Sequence, residues 1–117
     1  MELTAYETVA RWAASFSNTG QISIGQGPAD DRARKLALLE QFCVSVGIDP
    51  DTMVAKARAD RDAKNGYLRE LVAWAKALPG TDRQRHDAEN TIRGFFMKNG
   101  FRVVTKPYSD VYRRSGP

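Results

Sequence analysis

The only histidine of the chain, His86, and its only cysteine, Cys43, are the first residues to test for chemistry. A nucleophile needs a base within hydrogen-bond reach and a third group that orients the base. His86 lies in Arg83-Gln84-Arg85-His86-Asp87, a polar helical stretch that reads as solvent-facing. Cys43 follows Phe42 in an apolar run and reads as a buried, inert thiol. One cysteine and one histidine cannot build a Cys/His zinc site, and one cysteine cannot form an intramolecular disulfide. Arg58-Ala59-Asp60-Arg61-Asp62 is dense in charge. Arg58 and Asp62 stand four apart and are expected to pair along a helix, whereas Asp60 and Asp62 point different ways and do not suit a shared metal. Gly25 and Gly27 lack the preceding strand that a phosphate loop requires and read as linker. No catalytic constellation and no cofactor are expected.

The basic residues carry a stronger signal. Net charge is +4, with a pI of about 9.5. Residues 1–80 hold ten Lys/Arg and ten Asp/Glu, which cancel. Residues 81–117 hold eight basic residues (Arg83, Arg85, Arg93, Lys98, Arg102, Lys106, Arg113, Arg114) against four acidic ones, so all of the net charge lies in the last third. Such asymmetry points to a polyanionic partner. A second basic cluster, Arg32, Arg34 and Lys35, falls in the first two turns of an earlier predicted helix. If the two helix N-termini point the same way, the clusters merge into one positive surface, to which the backbone N–H groups of the helix starts would add.

These residues must be positioned by helices. Residues 4–16 predict a first helix with Thr4 as its cap and Val9, Trp12, Ala13 and Phe16 on one side. Residues 17–29, rich in Gly, Ser, Asn and Gln, read as a linker in which Ile22 and Ile24 could dock as a short extended piece. Residues 30–46 form the next helix, with Leu36, Leu39, Cys43 and Val46 at helical spacing and Gly47 as its stop. Asp49-Pro50 suits the start of a third helix, Asn65-Gly66 is the expected break, and residues 67–78 resume. Pro79-Gly80 ends that element. Thr81 or Asp82 caps a last helix whose Ala88, Ile92, Phe95 and Phe96 form one apolar stripe, stopped by Asn99-Gly100. On its helical wheel Arg83 and Arg93 fall away from that stripe. Arg85 lies in line with it and escapes burial by snorkelling off the first turn.

With 117 residues, 42% of them hydrophobic, the chain suits one globular domain with its own core. No apolar run approaches the roughly 20 residues of a membrane span. The opening residues lack the pattern of a secretory leader. A soluble cytoplasmic protein without a membrane partner is expected. The fold expected is an all-α compact bundle of four to five helices.

The order of Leu36-Ala37-Leu38-Leu39-Glu40-Gln41-Phe42, the turn Ile48-Asp49-Pro50-Asp51, the run Leu68 to Leu78, and Ile92-Arg93-Gly94-Phe95-Phe96 before Asn99-Gly100 resembles the core-binding domain of tyrosine recombinases and phage integrases, also called the N-terminal SAM-like domain. The resemblance covers residues 30–105, with residues 1–29 outside it and 106–117 as a tail or the start of a linker. It implies a SAM-like bundle that forms half of a clamp around double-stranded DNA. A separate catalytic domain of the same full-length protein would supply the tyrosine nucleophile, and other recombinase protomers would join on DNA. Tyr108 and Tyr112 lie near Arg113 and Arg114, but no His-x-x-Arg element precedes them, so neither reads as a nucleophile. On this reading Arg32, Arg34, Lys35, Arg83, Arg85 and Arg93 approach phosphates or a groove, and Gln84 reaches a base edge. The alternative is a helical protein-interaction module without nucleic-acid binding. DNA binding predicts one shared exposed basic face, and a scaffold predicts dispersed charge or an exposed apolar patch.

Overall fold

The computed structural model describes residues 3–16 and 28–103, and of residues 28–30 the backbone alone. The linker expected at 17–29 is overrun at its end by a helix that begins at Pro28, because proline suits a first helical turn, while its residues 17–27, with Ile22 and Ile24, and the tail with Lys106, Tyr108, Tyr112, Arg113 and Arg114 lie outside the described residues. A 3-10 turn, Leu3–Ala5, precedes five helices: α1 (Glu7–Ala14), α2 (Pro28–Val46), α3 (Pro50–Ala59), α4 (Arg61–Lys76) and α5 (Asp82–Lys98). The chain is all-α, as its periodicity predicts.

Three helix boundaries follow local chemistry. Gly47 takes φ 82° and its N–H bonds to Cys43 O at 2.8 Å, closing α2 with the left-handed residue that glycine adopts without a Cβ penalty. Asp49 caps α3, accepting from Thr52 N at 2.9 Å and Thr52 Oγ1 at 2.7 Å, with Pro50 in the first turn. These bonds from Thr52 hold the Asp49 carboxyl below the usual carboxylate range. Thr81 caps α5 through a reciprocal box with Gln84.

Two further boundaries depart from expectation. α4 runs through Asn65-Gly66 without a break, and the chain turns instead at Asp60, with φ −145° and ψ 117°. The Asp60 side chain accepts from Asp62 N and starts α4 there. A short acidic side chain at a helix start satisfies an orphan N–H, and that outweighs the glycine's weak helix propensity. The corner separates Arg58 from Asp62, so the pair expected along one helix does not form. The first helix is also shorter than 4–16, and Thr4 does not cap it. Its cap comes from α3: Asp51 accepts from Glu7 N, from Thr8 N at 3.0 Å and from Thr8 Oγ1 at 2.6 Å.

The core joins all five helices. Val9 and Trp12 of α1, Leu39 and Phe42 of α2, Met53 and Val54 of α3, Leu71 of α4, and Ile92, Phe95 and Phe96 of α5 are buried in one cluster. Trp12 meets Phe95 edge-on, 5.5 Å between centroids, and Phe42 meets Trp74 at 5.4 Å. α1 therefore shares one core with the region expected to begin at residue 30. Desolvation first, then the charges of Asp49 and Glu40, push the buried Cys43 thiol up to about 12, so it stays protonated.

Candidate nucleic-acid interface

The start of α5 is built from bonds between near neighbours in sequence. Thr81 N donates to Gln84 Oε1 at 2.8 Å, and Gln84 N donates to Thr81 Oγ1 at 3.1 Å. Gln84, expected to reach a base edge, has its carbonyl oxygen occupied by this cap. Gly80, with φ 110°, leaves the space that the Gln84 side chain enters. Arg85 does not project off the helix end. Its Nη1 donates to Gly80 O at 2.6 Å and Leu78 O at 3.3 Å, and its Nη2 pairs with Asp82. It ties the end of α4 to the start of α5, because backbone carbonyls after a helix need donors and a guanidinium offers several. Arg83 remains on the exposed side, as expected.

Arg93 is the clearest correction. It is 8% exposed. Its Nε donates to Glu89 Oε2 at 2.9 Å, and the two side chains are only 10% and 13% exposed. The wheel separated Arg93 from Ile92 and Phe95, but Phe96, three residues on, widens the buried arc to its side. The acid one turn earlier then neutralises the charge that burial would otherwise isolate.

On α2, Arg32 and Arg34 are exposed and Lys35 is half-buried. Arg32 Nη1 lies 3.4 Å from Ala13 O at the end of α1. Asp31 pairs with Arg34 at 3.1 Å and with Lys35 at 3.3 Å. Partial burial raises the Asp31 pKa, but the hydrogen bonds and charges of Arg34 and Lys35 outweigh it and hold the carboxyl below its usual range. The Lys35 ammonium also sits 4.6 Å from the Phe16 ring centroid.

The clusters do not merge as predicted from their helix starts. One crevice brings Lys35 beside Gly94, Met97 and Lys98, near the end of α5. Another, of about 540 Å³, brings Arg34, Leu38 and Gln41 beside Leu78, Gln84 and Asp87, at its start. Advancing along α2 therefore retreats along α5, and the two helices run in opposite senses. Lys35 meets Lys98, whereas Arg34 lines the crevices that hold Gln84, Asp87 and Asn90. Lys98, an exposed cation in the last turn of α5, was missed as a site residue. Its place just before Asn99-Gly100 was visible in the sequence, but not that α2 begins beside it.

His86 Nε2 lies 3.0 Å from Asn90 Nδ2, one turn along the same helix. Among the described residues no three His, Cys, Asp or Glu side chains gather where they could hold a metal ion. No described helix is long and apolar enough to cross a membrane. No protein-family model, no curated protein and no solved structure matches the chain.

Proposed function

We propose that the chain is a non-catalytic domain that binds double-stranded DNA, of the core-binding type that serves a tyrosine recombinase or integrase. A separate catalytic domain of the same full-length protein would cut and rejoin the strands, with further protomers assembled on the DNA. One observation carries the reading: Lys35 and Lys98 border a single crevice, with Arg32 and Arg34 beside Lys35 on α2. This joins cations from two helices into a surface where phosphates can be met by several side chains at once. Such contacts supply affinity and orientation without reading bases. The helices α2 to α5 and the buried Ile92, Phe95 and Phe96 are the parts of the chain on which the resemblance rests.

The protein-interaction alternative calls for dispersed charge or an exposed apolar patch, and the burial of Arg93 away from the α2 cations fits the first of these. Val44 and Met97 are the exposed large hydrophobics among the described residues. Met97 shares the Lys35 crevice, while Val44 stands nine residues along α2 from Lys35, about 13 Å at the helical rise. They do not form one patch.

The test is a duplex titration at several salt concentrations, comparing the wild type with Arg34→Gln/Lys98→Gln. Each phosphate contact contributes roughly 0.9 to the slope of log affinity against log salt, so the double variant should lower that slope by roughly 2, alike for unrelated duplexes. Absence of binding at low salt, or equal slopes for the two proteins, would overturn the assignment.

A further inference from the structure

We infer that a second group of cations, at the corner where α3 meets α4 and the chain leaves α5, grips the phosphate backbone of the same duplex. The inference rests on the DNA-binding reading above and extends it to residues on other elements. Arg58 Nη2 donates to Asn99 O at 2.7 Å, and its guanidinium lies 5.7 Å from the Phe101 ring centroid. Lys64 Nζ reaches Arg102 O at 3.5 Å. These contacts place Arg58 of α3 and Lys64 of α4 against the 99–102 segment. Arg102 is exposed within that segment, and Lys98 precedes it. Arg61 stands one turn before Lys64 and is also exposed.

The charge state separates this corner from the basic residues anticipated on α2 and α5. There, Arg34 and Lys35 are paired with Asp31, Arg85 with Asp82, and Arg93 with Glu89. At the corner, Arg58, Arg61, Lys64, Lys98 and Arg102 take part in no ion pair among the described residues. The nearby acids are Asp60, whose carboxylate caps α4, and the exposed Asp62. Carbonyls at the end of α5 attract cations and account for one donor of Arg58. They do not account for Arg102, whose side chain caps nothing among the described residues, nor for the remaining donors of the Arg58 guanidinium. Several unneutralised cations around one helix end raise a local positive potential, and a phosphate backbone is the extended ligand that meets them in succession. Lys98 lies between this corner and the Lys35 crevice, so both can follow one backbone around the end of α5.

Arg58 also holds the fold, so Lys64→Gln/Arg102→Gln is the variant to use. Arg69→Gln/Lys76→Gln, exposed cations further along α4, removes the same charge elsewhere. Duplex binding by fluorescence anisotropy is followed from 50 to 200 mM salt, with thermal unfolding confirming that each variant is folded. The corner variant should lower the salt slope by roughly 2, and the α4 control should leave it unchanged. An unchanged slope in a folded corner variant, or an equal fall in the control, overturns this inference while leaving the DNA-binding reading intact. No binding by the wild type overturns both.

Discussion

The two ends of α5 are held by different kinds of contact. At its start, the Thr81–Gln84 box and the bonds of Arg85 to Leu78, Gly80 and Asp82 all join residues within seven positions of one another. At its end, Asn99 is 3% exposed, donates to Thr8 O at 3.2 Å and Phe95 O at 2.9 Å, and accepts from Arg11 Nη1 at 3.0 Å. Arg58 reaches its carbonyl from α3. The first end is a local device that a helix start can carry into any fold. The second exists only once α1 and α3 have packed against α5. The same difference separates the cations: Asp82 neutralises Arg85 near the start, whereas those around the end gather from several elements without an ion pair among the described residues.

Three substitutions test this contrast. Phe96→Ala, at the buried end, should have the largest effect, about 4 kcal/mol, because it opens a cavity shared by several helices. Chemical denaturation measures it, and a loss below about 1 kcal/mol would mean that the end of α5 is not packed as described. Asn99→Ala should cost about 2 kcal/mol by leaving buried polar partners on α1 and α5 unsatisfied. It should also speed amide exchange in α1. If exchange changes only within α5, Asn99 does not link the two helices. Thr81→Ala should cost about 1 kcal/mol, the usual worth of an N-cap, with exchange changes confined to the first turn of α5. Faster exchange in α1 for this variant would erase the distinction between local and long-range ends.

What the chain disclosed in advance follows the same division. The caps at Asp49 and Thr81, the left-handed glycines at 47 and 100, and the stripe of Ala88, Ile92, Phe95 and Phe96 were legible because each depends on neighbours within about two turns. The α3–α4 corner was misplaced because a glycine flagged a break that an aspartate's capping bond made elsewhere. Among the anticipated site residues, Arg32, Arg34 and Arg83 are exposed as expected. Arg85, Gln84 and Arg93 are occupied by a loop, a cap and a buried acid.

By itself, then, the sequence determined an all-α chain of four to five helices, the stops at Gly47, Pro79-Gly80 and Asn99-Gly100, and the apolar stripes that drive the helices together, since periodicity and capping are properties of short segments. Only the tertiary structure decided that α1 is capped by Asp51 of α3, that Arg93 faces inward, and that Lys35 of α2 lies beside Lys98. Those outcomes depend on which helix packs against which and in what sense. Side chains distant along the chain meet only after that packing, and charge is screened, paired or left exposed according to the neighbours it then acquires.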